Sequence, residues 1–375
     1  MNPTTTAFGM WSGGRFMHFG NPIDDERYDA LMRLAFEEGI RTFMTADVYG
    51  TGQADEMCRR GLAGLPRNEY CLVGAVGHDF YEGERAGSKG FPRFTDPSLR
   101  SPSQYGAFLR MATEKSLERC GTDYFDLLLL HNPDKIGYTN DQVWDGMRAL
   151  KEQGLAKRLG IAPGPANGFT LDLALSFERF AEVIDWAMII LNPMEPWPGE
   201  LALAPAREFG VEIITRVVDC GGLFHDDVKP GHQFAEKDHR TFRPEGWVET
   251  GNEKLKAMRP YAEQYGLTML QLACAWNLSQ EPVRCVAPTV IEEVDGKSIE
   301  EKVKELARVP KIKLSEEAIE ALRKIGDNKG CMTLKGGSVE HEGDPVADRW
   351  TLDHDLLAMG QKWGIDPGKD LVRSH

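Results

Sequence analysis

Eight short apolar runs recur along the chain, with helical patterns between them, and this alternation limits the fold more than any other feature. The runs are Ala7 to Met10, Arg41 to Met44, Tyr70 to Val73, Phe125 to Leu130, Leu159 to Ala162, Ala187 to Leu191, Val211 to Thr215 and Val283 to Ala287. Most are apolar on both faces and bounded by glycine, proline or a polar residue, as parallel strands buried on both sides must be. Between them, Asp24 to Glu38 opens with acidic residues, repeats apolar positions at Tyr28, Leu31, Leu34 and Ala35, and stops at Gly39. Similar helical segments run over Ser103 to Cys120, Asp141 to Gln153, Pro198 to Phe209, Asn252 to Tyr265 and Ile299 to Leu306. Eight β/α units with no boundary between two halves predict an α/β protein, a closed (β/α)8 TIM barrel rather than a doubly wound sheet. No Gly-x-Gly-x-x-Gly fingerprint stands at a strand-to-helix turn.

Two connections are much longer than usual, His78 to Pro102 and Val217 to about Gly251. Both follow a predicted strand, so these long βα loops belong on the face where barrel enzymes place their sites. After Gly330 the pattern changes, with a short helical run near Leu352 to Trp363. Residues 1–330 are therefore expected to form the barrel, and residues 331–375 a C-terminal extension packed on it.

A length of 375 residues suits one large barrel or two average domains. A formal net charge of −14 argues against nucleic-acid or anionic-membrane partners, which need a basic face. No cationic-then-apolar leader and no run of roughly 18 apolar residues is present, so a cytoplasmic protein acting on a small molecule is expected. Oligomeric state is open. The cysteines, at 58, 71, 120, 220, 274, 285 and 331, lack Cys-x-x-Cys spacing. No disulfide framework, zinc cage or iron–sulfur cluster is expected, and thiols in apolar runs act as small core residues.

The stretch from Met44 to Gly50 follows one of these runs and precedes a helical segment beginning near Gln53, which places Asp47 and Tyr49 on a strand-to-helix loop. A carboxylate and a phenol in such a loop are equipped for proton chemistry. Equally, Asp47 could order the turn and Tyr49 pack at its edge.

Five segments in order resemble the aldo-keto reductase superfamily, over roughly Ala7 to Ile325. They are Phe8 to Gly14 (FGMWSGG), Thr45 to Gly50 (TADVYG), Asp123 to Pro133 (DYFDLLLLHNP), Gly154 to Ile161 (GLAKRLGI) and Gly221 to Phe224 (GGLF). The resemblance implies a (β/α)8 barrel and hydride transfer between NADP(H) or NAD(H) and a carbonyl. It also implies a tetrad: a tyrosine proton donor, a lysine and an aspartate that lower its pKa, and a histidine that orients the carbonyl. A phenol titrates near pH 10 unaided, so a neighbouring cation is a physical requirement.

Carried across, the tyrosine matches Tyr49 and the histidine matches His131. The aspartate position is Met44, with Asp47 three residues later, and Ala75 stands at the lysine position. On the nicotinamide side, Ala162 and Pro163 replace the usual Ser-Asn pair; Asn192 is kept, but position 188 is Met. Arg216 corresponds to the ring-stacking position, Gly221, Gly222, Leu223 and Phe224 would offer backbone N–H groups to a pyrophosphate, and Thr289 and Lys297 lie where the adenosine half binds.

Three readings follow. In the first, an oxidoreductase with NADP or NAD acts on a small polar carbonyl or alcohol, sugar-like compounds included, using Tyr49, His131 and Asp47, with Arg216 or Lys89 tuning the phenol. In the second, the same acid–base groups, joined by His78, catalyse a redox-neutral isomerisation, elimination or hydrolysis. Asp47, His78 and His131 lack metal-motif spacing, and no metal site is expected. The third is a non-catalytic ligand-binding barrel. His131, closing an apolar strand, could also be a core histidine bonded to backbone carbonyls.

Overall fold

The computed structural model describes residues 1–87, 90–164, 169–243, 245–329, 346–347 and 352–373. Lys89 and residues 331–345, 348–351 and 374–375 of the extension lie outside them. Eight parallel strands pair in sequence order: β1 (Ala7–Gly9), β2 (Thr42–Met44), β3 (Cys71–Val76), β4 (Leu127–His131), β5 (Leu159–Ala162), β6 (Trp186–Ile190), β7 (Glu212–Arg216) and β8 (Val283–Ala287). A parallel bridge between Thr6 and Val286, with Val286 N–H donating to the Thr5 carbonyl at 2.9 Å, brings β8 back to β1 and closes the barrel expected from the sequence.

The described α-helices of five residues or more are α1 (Asp25–Glu37), α2 (Gln53–Gly61), α3 (Tyr105–Cys120), α4 (Lys135–Thr139), α5 (Asp141–Glu152), α6 (Thr170–Arg179), α7 (Leu203–Glu208), α8 (Trp247–Tyr265), α9 (Met269–Leu278), α10 (Ile299–Ala307), α11 (Glu316–Gly326) and α12 (His354–Trp363). Their starts are set locally. Asp24 caps α1, Asn140 caps α5, and Thr268 with Gln271 and Ser298 with Glu301 form reciprocal capping boxes at α9 and α10.

Side-chain alternation along each strand builds two cores. Leu128 and Leu130 of β4 join the large outer core beneath the helices, whereas Leu127 and Leu129 point into the barrel with Val73, Ala75, Met188 and Ile214. The six described cysteines are buried, and burial raises their thiol pKa values, that of Cys71 to about 12.

Both long loops are held by packing and charge. In the first, Phe94 stacks on Phe108 of α3 at 5.1 Å, and buried Arg100 pairs with buried Asp79 at 2.5 Å. In the second, Arg240 is 1% exposed and is held between Asp238 and Glu293. The described part of the extension lies against α6, where Leu171 and Ala174 cluster with Leu356, Met359, Ile365 and Leu371, and the Trp197 indole N–H donates to the Asp370 carbonyl at 2.6 Å.

Candidate active site

The alternation that buries Leu127 and Leu129 inside the barrel turns His131 to the same side at the end of β4. Ile214 does the same for Arg216 at the end of β7. Met44, Ala75 and Ala162 belong to the inner cluster, and Tyr49 packs against it from the loop after β2. The Tyr49 and His131 rings meet edge to face, centroids 5.8 Å apart at 87°. His78 meets His131 edge to face at 5.1 Å, while Phe16 stacks on Tyr49 at 6.5 Å.

A second layer fixes His78. Arg93 Nη1 lies 2.9 Å from its Nδ1, and a guanidinium can only donate, so Nδ1 accepts. Burial, reinforced by Arg93, pulls the His78 pKa down to about 3, so the ring is neutral and carries its proton on Nε2. The Asn132 amide, 3.1 Å from Nε2, must then present its oxygen there. The same Arg93 donates through Nε to the Asn132 carbonyl. Asn132 sits at φ 47°, a left-handed conformation that asparagine tolerates better than most residues.

His131 is 5% exposed and its Nδ1 has no hydrogen-bond partner among the described residues. Burial, and after it His78, Arg93 and Arg216, holds its pKa well below the usual histidine value. A neutral imidazole offers one N–H to a substrate oxygen. Burial raises the Tyr49 phenol above 10, and Arg216 opposes that shift without overcoming it. Arg216 reaches across from β7, where its Nη2 donates to the Pro163 carbonyl at 3.0 Å.

Asp47 does not join this group. Its carboxyl is fully buried, with both oxygens lacking a well-formed hydrogen bond. Burial and then Asp55 raise its pKa well above the ordinary carboxylate value, against Arg119. Its charged neighbours are Asp55 of α2, Arg119 of α3 and Asp79, whereas the charge acting on Tyr49 is Arg216. Asp47 thus answers to a different set of charges from the one around Tyr49.

The glycine loop after β7 also differs from expectation. Gly222 N–H donates to Asp219 Oδ2 at 2.9 Å, Leu223 N–H to the Cys220 carbonyl at 3.4 Å, and Phe224 N–H to the Asp219 carbonyl at 3.0 Å. These three N–H groups are engaged within the loop and do not face outward together as the sequence suggested. Thr289 braces the loop instead: its N–H donates to Asp219 Oδ1 at 2.7 Å, and its carbonyl accepts from His225 Nε2 at 2.7 Å. Lys297 extends toward Glu305 at 3.3 Å.

Between this loop and the one after β8 lies a cavity of about 540 Å3 lined by Phe234, Arg240, Asp227, Asp238, Glu293 and Asp295, among others. It is apart from Tyr49 and His131. The structure thus brings together Tyr49, His131 and Arg216, and separates from them Asp47, Thr289 and Lys297. Arg93 and Asn132 were missed from the sequence as site residues; the only signal for Asn132 was its place directly after His131 in the quoted motif.

A model of the Aldo/keto reductase family matches residues 7–327. A probable voltage-gated potassium channel subunit beta from Arabidopsis thaliana is 23% identical over 325 residues, covering 82% of this chain and 88% of the relative. Among solved structures, the glycerol dehydrogenase of Gluconobacter oxydans has a TM-score of 0.67 at 23% identity, covering 85% of this chain and 90% of that one. An aldo/keto reductase from Klebsiella pneumoniae in complex with NADP and acetate has a TM-score of 0.56 at 20% identity, with 87% and 95% covered. The two structures share the barrel.

Proposed function

Because this chain belongs to the aldo/keto reductase family, we propose that it is an oxidoreductase using NADP or NAD on a small polar carbonyl or the matching alcohol. The observation that carries this reading is the edge-to-face pair of Tyr49 and His131 at the barrel mouth. The NADP-bound Klebsiella relative and the Gluconobacter glycerol dehydrogenase support it.

The chain has features that suit a dinucleotide. The cavity between the loops after β7 and β8 is walled by Phe234, which stacks on Trp247, and offers the carboxylate of Asp295 for a ribose hydroxyl. Arg216 would lie at the nicotinamide end. The cofactor, when bound, supplies or takes the hydride.

For a substrate at the mouth, the neutral His131 donates an N–H to the carbonyl oxygen and fixes its direction. Tyr49 then gives its O–H proton to that oxygen as the carbonyl carbon gains the hydride, so the C=O bond becomes an alcohol. Arg216 stands in for the absent lysine by favouring the phenolate left behind. Phe16 and the inner cluster shield the pair from bulk water.

The apolar character of Met44 and Ala75 favours a second reading, proton transfer without hydride by the same pair. One experiment separates the two. Purified protein is titrated with NADPH and NADH by fluorescence, then assayed against a panel of carbonyls and sugars. Cofactor binding with hydride consumption that Tyr49→Phe abolishes supports the oxidoreductase, and no nicotinamide binding at millimolar concentration refutes it. Product formed without cofactor supports the second reading.

A further inference from the structure

Two guanidinium groups bracket the end of β4. Arg93 reaches it from the long loop after β3, donating to the Asn132 carbonyl and to His78, whose ring lies against His131. Arg216 reaches it from β7 and donates to the carbonyl of Pro163, the residue after Ala162, which pairs in register with His131. Both side chains are partly buried.

Neither is paired with a carboxylate among the described residues; their partners are neutral carbonyls and one neutral ring. Arg93 Nη2 and Arg216 Nε and Nη1 make no hydrogen bond among those residues. The carboxylate that acts on Arg93, Asp134, is beyond ion-pair contact, and its oxygens are taken by Thr95 Oγ1 at 2.7 Å and Gly137 N–H at 2.8 Å. The cation that acts on Asp47 is Arg119, not either of these two. Buried arginines elsewhere in this chain are treated differently: Arg100 and Arg240 each hold two carboxylates.

A desolvated cation without a counter-ion is costly, and an incoming anion would relieve that cost. In a chain of net charge −14, two such cations beside the reacting pair form a local exception.

We infer that the substrate of this site is a carbonyl compound that carries a carboxylate, held by Arg93 and Arg216 while Tyr49 and His131 engage its carbonyl. The inference rests on the oxidoreductase reading and names its substrate class. Uncharged carbonyls of the same size fit the site but leave both guanidiniums uncompensated.

The test compares glyoxylate and 4-oxobutanoate with their methyl esters, reading kcat/KM with NADH or NADPH. The acids should exceed their esters by tenfold or more, as expected of a charge-assisted contact. Arg93→Gln should lower the acid-to-ester ratio, and Arg93→Lys should restore part of it. Equal kcat/KM for acids and esters in the unaltered protein overturns the inference while leaving hydride transfer standing. If no pair consumes cofactor, the oxidoreductase reading fails, and calorimetry of the same acids and esters still decides. Tighter binding of the acids, weakened by Arg93→Gln, supports the anion site, and equal or absent binding overturns it.

Discussion

Tyr49 and His131 meet at 87° across the barrel mouth, brought together from the loop after β2 and the end of β4 although they stand 82 positions apart in sequence. The edge of one ring faces the other, so a carbonyl oxygen that enters the barrel mouth can meet an O–H and an N–H together. Tyr49→Phe keeps the packing against Phe16 and removes the proton. We expect reduction to fall by about 10²–10⁴-fold, as for loss of a general acid, with an unchanged circular dichroism spectrum. A loss under about threefold would assign the proton to another group.

Burial raises the Tyr49 phenol above 10 and Arg216 opposes it, which fixes the sign of the pH dependence. Reduction uses the protonated phenol, so its rate should stay level from neutral pH to about pH 9 and fall only above the ordinary phenol value. Alcohol oxidation uses the phenolate and should rise over the same alkaline range. Arg216→Gln should move both profiles further upward. A reduction rate that halves between pH 6 and 8 would show that a different group controls the step.

Asp47→Asn is nearly isosteric, and the carboxyl it replaces has a raised pKa and lies in the field of Asp55 and Arg119. Its effect on kcat/KM should stay within about tenfold, below what a general acid contributes. A 10³-fold loss would put Asp47 back in the proton path.

The cavity beside Glu293 and Asp295 has Arg240 already held by two carboxylates. A 2′-phosphate there would meet net negative charge, whereas a ribose diol would find acceptors. NADH should bind more tightly than NADPH in a fluorescence titration, and Asp295→Lys should narrow the gap. Tighter NADPH binding by the unaltered protein would refute this placement.

His225 is 1% exposed, and burial, then Lys302, pulls its pKa down to about 3. Above pH 6.5 the folded and unfolded chains both hold it neutral. As pH falls below 6.5 the unfolded chain gains a proton that the folded one refuses, so stability is lost progressively toward pH 3. At pH 5 the cost is about 2 kcal/mol. The unaltered protein should therefore lose more Tm between pH 7.5 and 5 than His225→Gln does. Equal losses would mean that this histidine gains a proton within the fold.

The barrel was legible because its strands are apolar on both faces and its helices mostly show one apolar stripe. Where that stripe is missing, reading failed. Helix α9, Met269–Leu278, is buried on nearly every side and has no polar face to mark its period. Tyr49 and His131 were legible from the resemblance, and strand alternation turns His131 inward in agreement with it. Asp47 was not, because no fixed period governs side-chain direction in an irregular loop. The engaged N–H groups of the glycine loop were invisible too, since the Asp219 carboxylate that takes the Gly222 N–H also binds Thr289, 70 residues away. The pairing of Arg93 with His78 depends on how a long loop folds back on itself, which no local pattern encodes.

The six buried cysteines, none of them near the ionisation range of an exposed thiol, give the molecule a built-in clock. They are spread from α2 to β8, so an alkylating reagent can reach them all only when the whole barrel comes apart. Counting labelled thiols over time by mass spectrometry would therefore time global opening, and a thiol labelled ahead of the rest would show which part of the wall gives way first.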